Sequence, residues 1–216
     1  MEERNNQWDY IDLESLSVRE RYKILISTIL PRPIALISTV SSEGAGNLAP
    51  FSFFNGVSSN PPAVMLSFGK RYKGDKKDTL RNILETKEFV INTVHKWMLE
   101  RVVACAAEYP YGVSEMEKTG LTPLPSKKVA PPRVKESLIN FECKLLETIN
   151  VGSDEPGSST VVIGKIEAVH INKKAYDKNG RISPKALEII GRLGGISYAE
   201  LGEIYSLAVP ALEENQ

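Results

Sequence analysis

The chain has 216 residues, 42% of them hydrophobic, with 27 lysines and arginines balanced by 27 aspartates and glutamates. Zero net charge with histidine neutral leaves no global field to attract nucleic acid or an anionic membrane, and a chain of this size buries roughly 70% of its unfolded surface without a disulfide or metal. Its length suits one domain, and its two cysteines, Cys105 and Cys143, lie far apart with no CxxC, which points to a reducing cytoplasm and away from a structural metal.

Residues 1–17 are polar and acidic, unlike a signal peptide, and read as an arm ordered by Trp8 and Tyr10. No apolar run approaches the ~20 residues that span a bilayer. Val18 to Ile29 puts Tyr22, Leu25, Ile26 and Ile29 on one helical face, and Pro31 and Pro33 end that helix. Ile34 to Val40 is apolar on both sides and reads as a strand buried on both. A turn at Ser41 to Gly46 leads to a second strand, Asn47 to Ser58, and Pro61-Pro62 to a third, Ala63 to Phe68. Lys76 to Thr86 changes to helical spacing, with Leu80, Ile83 and Leu84 apolar and Asp78 or Thr79 as the N-cap. Phe89 to Val94 returns to strand and Trp97 to Ala107 to helix. Residues 108–136 hold prolines without clear periodicity. They read as a long excursion with a short helix near Val113 to Lys118, of the kind that covers something. Two long strands, Leu138 to Ile149 and Ser159 to Ile171, flank a GSDEPGS turn; a short helix near Pro184 to Ile190 and the turn Gly191 to Tyr198 follow. Strands dominate and no regular βα alternation appears, which argues for a barrel over a doubly wound sheet.

Pro50, within Asn47-Leu48-Ala49-Pro50-Phe51-Ser52, carries the most information. Proline cannot donate to a ladder, so it belongs at an edge or a bulge, where backbone groups are left for something other than protein. A planar heterocycle with donors and acceptors along one edge suits such a place; a bulged edge strand is the structural alternative. At Lys77-Asp78-Thr79, the start of a helix offers free N–H groups, a lysine charge and a hydroxyl, which suits phosphate. The alternative is Asp78 as a plain cap with solvated lysines. Ser67 and Phe68 end the third strand, where Phe68 covers a ring or belongs to the core. Asn92 interrupts an apolar run and needs a buried partner, cofactor or backbone. His95 and His170 are too far apart in sequence to suggest a metal site, and the cysteines read as small buried side chains.

Five motifs, RPIALIST, NLAPFSFF, KKDTLRNI, EFVINTV and GRLGG with Tyr198, run in order over roughly residues 20–205. On them the chain resembles the flavin reductase-like proteins with an FMN-binding split β-barrel, including flavoredoxins and the reductase components of two-component flavin monooxygenases. The resemblance implies a mainly β fold with inserted helices, a split β-barrel over residues 18–210, holding FMN non-covalently. It implies hydride transfer from NADH or NADPH to flavin, electrons passed to a partner monooxygenase or another acceptor, and a homodimer with the flavin at or near the subunit interface. It carries cofactor contacts onto Thr39, Asn47, Leu48, Ala49, Pro50, Phe51, Ser52, Ser67, Lys77, Asp78, Thr79, Asn92, Arg192 and Tyr198. No catalytic side chain is expected, because the cofactor carries the chemistry. Arg192 would meet a phosphate of FMN or of the nicotinamide donor, with a surface turn as the alternative. An FMN electron carrier of flavoredoxin type and a non-catalytic flavin-binding module stay open beside the reductase.

Overall fold

Pro50 and the two residues after Phe51 decide the topology. The computed structural model describes residues 8–70, 77–107, 109–110, 112–153 and 155–210. A surface helix α1 (Val18–Thr28) precedes β1 (Arg32–Pro33), β2 (Ala35–Val40), β3 (Gly46–Phe51), β4 (Phe54–Ser59) and β5 (Pro62–Gly69). Then come α2 (Asp78–Thr86), β6 (Glu88–Thr93), α3 (Leu99–Ala104), α4 (Glu115–Thr119), β7 (Pro123–Leu124) and β8 (Arg133–Val134). The long strands β9 (Ile139–Val151) and β10 (Ser159–Ile171) are followed by α5 (Pro184–Leu187), β11 (Ile190–Arg192) and β12 (Tyr198–Glu200).

Seven strands form one sheet in the order β3-β2-β6-β9-β10-β5-β4. The expected single strand from Asn47 to Ser58 is therefore two strands, broken at Ser52-Phe53 and lying on opposite edges. Across a flat sheet those edges would lie roughly 29 Å apart at about 4.8 Å per strand spacing. The chain from Phe51 to Phe54 spans at most roughly 11 Å, so the sheet has to curl until its edges meet. They meet where the Phe51 ring of β3 packs edge to face on Phe68 of β5 with centroids 4.6 Å apart, while the Ser67 N–H, donating to the Phe53 carbonyl at 2.9 Å, carries the β4–β5 pairing up to the break. The result is a split β-barrel. Pro50 lies on the edge strand β3, whose ladder runs only to β2 with Pro50 opposite Leu36, so its missing N–H breaks no ladder.

Alternation along β2 divides its side chains between two cores. Ala35 and Ile37 join Leu66, Phe68, Phe89, Ile91 and Val162 inside the barrel, which α2 plugs with Leu80 and Ile83. Leu36 and Leu48 face outward onto Met98, Val102, Met116, Leu121 and Val134. The excursion of residues 108–136 thus covers the outer face of the barrel, as its length suggested. Polar strand residues hold it there. Asn92 Oδ1 accepts the Val134 N–H at 2.8 Å, and Glu142 accepts the Lys127 and Lys128 N–H groups at 2.8 and 2.5 Å.

Several boundaries differ from expectation for local reasons. The 97–107 segment opens as a 3-10 turn, Lys96–Met98, before α3. The helix after Pro184 stops at Leu187 because Glu188 takes a left-handed φ of 42°. The turn expected at Gly191 to Tyr198 is a hairpin, β11–β12, that β1 extends to a separate three-stranded sheet. The apolar face of α1 is formed but largely uncovered among the described residues: none of its residues is buried, and Tyr22 and Ile29 are 54% and 53% exposed. Trp8 and Tyr10 likewise face solvent, and residues 1–7 lie outside the described residues. No helix among the described residues is long and apolar enough to cross a membrane.

Candidate functional site

Helix α2 begins without a side-chain cap. Its N-cap is Lys77 in extended conformation, φ −64° and ψ 142°, one residue before the expected Asp78 and two before the expected Thr79. Lysine has no acceptor to offer, so the first-turn N–H groups keep the partial positive charge of a helix start. Asp78 sits in the first turn, yet its carboxylate is drawn aside to Arg81 Nη2 at 2.6 Å. The like charge that would have repelled an anion is thereby neutralised locally. Lys77 Nζ lies 5.0 Å from the centroid of Phe51, over the ring. Lys76 lies outside the described residues.

This helix start opens on a cavity of about 390 Å³, within the range of about 300–1,000 Å³ that holds small ligands. Phe68 and Leu80 provide apolar wall, Lys70 and Lys77 provide charge, and Ser158, Ser159 and Thr160 on the β9–β10 hairpin line it too. Phe51, on β3, reaches this wall through Phe68. The cavity therefore adjoins the edge strand that carries Pro50.

Beneath the helix start runs a buried polar relay. Asn47 Nδ2 donates to Thr39 Oγ1 at 3.1 Å and to Thr79 Oγ1 at 2.9 Å, and Asn82 Nδ2 donates to Thr39 Oγ1 at 3.0 Å. Thr39 and Thr79 are fully buried. Their hydroxyls bind α2 to β2 and β3, so they set where the helix start points. Ala49 is half-buried on β3 opposite Ile37, and Ser67 is half-buried near the end of β5. The structure thus gathers Thr39, Asn47, Ala49, Phe51, Lys77, Asp78 and Thr79 where the inner side of β3 meets α2, whereas Pro50, paired with the outward-facing Leu36, and Ser67, between the inward-facing Leu66 and Phe68, alternate to the other face.

Two expected residues serve the protein instead. Asn92 is fully buried: its Nδ2 donates to the Leu36 carbonyl at 3.0 Å, and its Oδ1 accepts from Val134 N and from Asn140 Nδ2 at 2.9 Å. The backbone alternative holds there, and no capacity is left for a cofactor. Leu48 is buried in the outer core, and its N–H donates to Glu115 Oε2 at 2.8 Å. Glu115, on α4, is pushed above the usual carboxylate range by burial, an effect that the Leu48 N–H partly offsets.

Arg192 and Tyr198 form a second group. They face each other on the β11–β12 hairpin, with the guanidinium 4.4 Å from the ring centroid. Gly194 at the hairpin tip lies so close to α1 that a Cβ there would come 3.1 Å from Ser27 Oγ and 3.4 Å from Ser27 Cα. Arg32 links the two groups and was not singled out from the sequence. It donates through Nε to Ser52 Oγ at 3.3 Å and through Nη2 to the Leu193 carbonyl at 2.9 Å. The break at Ser52 is therefore tied to the hairpin that carries Arg192 and Tyr198. Only its place in RPIALIST, next to a strand start, signalled Arg32 in the sequence.

His95 and the two cysteines, set aside in the sequence, are all buried in the structure. His95 is fully buried, with Nδ1 on the Leu187 carbonyl at 2.5 Å and Nε2 accepting the Leu138 N–H at 2.9 Å. These partners fix the neutral Nδ1–H tautomer, and burial holds the pKa below the usual 6.5 despite the Leu187 carbonyl. Burial pushes the Cys105 thiol up to about 11 and Cys143 further still. No group of three or more histidine, cysteine, aspartate or glutamate side chains suited to a metal occurs among the described residues.

A family model described as the flavin reductase like domain matches residues 27–186. The uncharacterized protein YwrF of Bacillus subtilis (strain 168) is 41% identical over 201 residues, covering 92% of this chain and 97% of that one. Among solved structures, nitrilotriacetate monooxygenase component B from Bacillus cereus superposes with a TM-score of 0.88 at 36% identity, over 94% of this chain and 100% of that one. The 2-nitrobenzoate 2-nitroreductase NbaA of Pseudomonas fluorescens superposes with a TM-score of 0.81 at 32% identity, over 94% and 96% of the two chains.

Proposed function

Because this chain belongs to the flavin reductase-like family, a flavin-binding family, we propose that it holds FMN at the junction of β3, β5 and α2 and acts as an NAD(P)H-dependent flavin reductase. The observation that carries this reading is the uncapped α2 start, which opens with Lys77 onto the 390 Å³ cavity beside the broken edge of the barrel. These residues fit FMN: a helix N-terminus and a lysine for the phosphate, and an apolar wall of Phe68 and Leu80 next to unpaired strand edge for the ring.

When bound, FMN would supply the redox chemistry, namely hydride acceptance from NADH or NADPH and electron delivery to a second acceptor. The protein binds and orients. Lys77 and the first-turn N–H groups of α2 hold the phosphate, while Thr39, Asn47 and Thr79 fix the direction of the helix start. Ala49, small and half-buried, lets a ring approach the β3 backbone, and Pro50 leaves that edge without a competing strand. Arg192 and Tyr198, on the exposed hairpin, meet the nicotinamide donor. No side chain moves a proton in this scheme, in keeping with the neutral, fully bonded His95.

The same reading makes the protein a homodimer. The apolar side of α1 and the extended segment Leu201 to Val209, with Leu207 90% and Val209 91% exposed, are surfaces that a second copy would cover. The electron acceptor downstream is a partner monooxygenase or another oxidant; component B in the relative from Bacillus cereus is named as one part of a monooxygenase.

The visible spectrum of the purified protein with FMN tests the reading, followed by anaerobic addition of NADH. Bleaching of bound or added flavin supports a reductase. A tightly held yellow flavin that NADH does not bleach identifies a flavoredoxin-type carrier instead. Failure to bind any flavin overturns the proposal.

A further inference from the structure

Arg32 on β1 stands directly opposite Arg192 on β11. Like charges placed so oppose strand pairing, and neither guanidinium has a carboxylate partner among the described residues. Arg32 is only 4% exposed. It is held entirely by neutral acceptors: the carbonyls of Ile26 at 2.7 Å, Ile29 at 2.8 Å and Leu193 at 2.9 Å, and Ser52 Oγ at 3.3 Å. These bonds satisfy the donors without neutralising the charge. Burial lowers the Arg32 pKa, Tyr22 opposes that and Arg192 adds to it, yet a guanidinium remains protonated at physiological pH. An uncompensated buried charge is costly. The fold keeps this one a single hydrogen bond from the break between β3 and β4.

We propose that Arg32 is a positioning residue that locks Ser52 to the β11–β12 hairpin and to the end of α1, and whose unneutralised charge favours the reduced form of a flavin held at the junction of β3, β5 and α2. The inference rests on the flavin reading above. A reduced isoalloxazine carries more negative charge than the oxidised ring, and fixed charge near it is one way a protein tunes its electronics. At an effective dielectric of about 20, a unit charge within roughly 10 Å changes such an equilibrium about tenfold.

Arg32→Met keeps the apolar stem and removes the charge. Wild type and variant are loaded with FMN, and the dissociation constant, the midpoint potential by dye equilibration and the urea unfolding midpoint are read on each. In Arg32→Met the preference for reduced over oxidised FMN falls about tenfold, which for a two-electron couple places the potential about 30 mV lower. Arg32→Lys keeps most of the potential but binds FMN more weakly, because an ammonium cannot span four acceptors at once. A flavin-loaded Arg32→Met with wild-type potential overturns the proposal, as does a lysine variant that loses as much potential as the methionine one. Should Arg32→Met fail to fold, Tyr22→Glu is read in its place. It adds a carboxylate at a 54% exposed position of α1 in Coulombic reach of Arg32. A fall in potential there supports the charge, and an unchanged potential overturns it. A wild-type protein that takes up no FMN overturns the flavin reading itself, an outcome distinct from a loaded variant with unchanged potential.

Discussion

Lys77→Ala separates phosphate binding from ring binding. Lys77 Nζ lies 5.0 Å from the Phe51 ring centroid, a half-buried cation–π contact contributing ~0.5–1 kcal/mol. Loss of that contact lowers stability by about that amount and leaves the barrel folded, since Phe51 still packs on Phe68. Loss of a charged hydrogen bond to phosphate costs a further ~1.5–3 kcal/mol of affinity, roughly 10- to 150-fold in Kd. Because Asp78 is held by Arg81 at 2.6 Å, its carboxylate does not have to move for the anion to bind. Titrations of FMN and of riboflavin, followed by flavin fluorescence, read the effect. Riboflavin has the same ring and no phosphate, so its affinity stays within about twofold while that of FMN falls by the larger factor. Equal losses for the two ligands, or no loss for either, would refute the assignment of the α2 start to phosphate.

Ala49→Leu adds three carbons at a half-buried site on the edge strand; flavin content drops sharply while the unfolding midpoint moves little, and normal flavin content would remove ring contact from Ala49. Cys105→Ser leaves NADH turnover intact, since a buried thiol pushed up to about 11 is protonated at neutral pH; a large rate loss would give the thiol a role. His95 makes stability depend on pH. Its folded pKa lies below the usual 6.5, so the unfolded chain takes up a proton that the native state refuses. Stability is therefore full above the unfolded value and falls as pH drops through it, levelling below the folded pKa; urea midpoints across this range check the slope, which His95→Gln flattens. Glu142, whose burial is outweighed by the Lys127 and Lys128 N–H groups and His170, adds a separate loss only below the usual 4.5. Light scattering at micromolar concentration reports a dimer, and charged substitutions at Tyr22 and Ile29 shift it toward monomer.

Much of the fold was legible because it rests on local or periodic rules. The two-sided burial of β2, the helical spacing of Leu80 and Ile83 and the edge position forced on Pro50 each follow from side-chain period or from proline chemistry. The cap of α2 lies one or two residues before the expected Asp78 or Thr79, and the Asp78 carboxylate has its partner in Arg81 instead. Asn92 had two readings in the sequence, and only the arrival of Val134 and Asn140 from distant segments chose between them.

By itself the sequence determined a mainly β chain, an edge position for Pro50 and a charged helix start at Lys77, since each depends on neighbours within a few residues. Tertiary structure alone decided that β3 and β4 lie on opposite sheet edges, that Lys77 opens onto a cavity lined by Phe68, and that Arg32 joins Ser52 to a hairpin at Leu193, 161 positions from Arg32. Contacts of that reach arise from closing a seven-stranded barrel, and pairings between distant segments leave no period in the residues that make them.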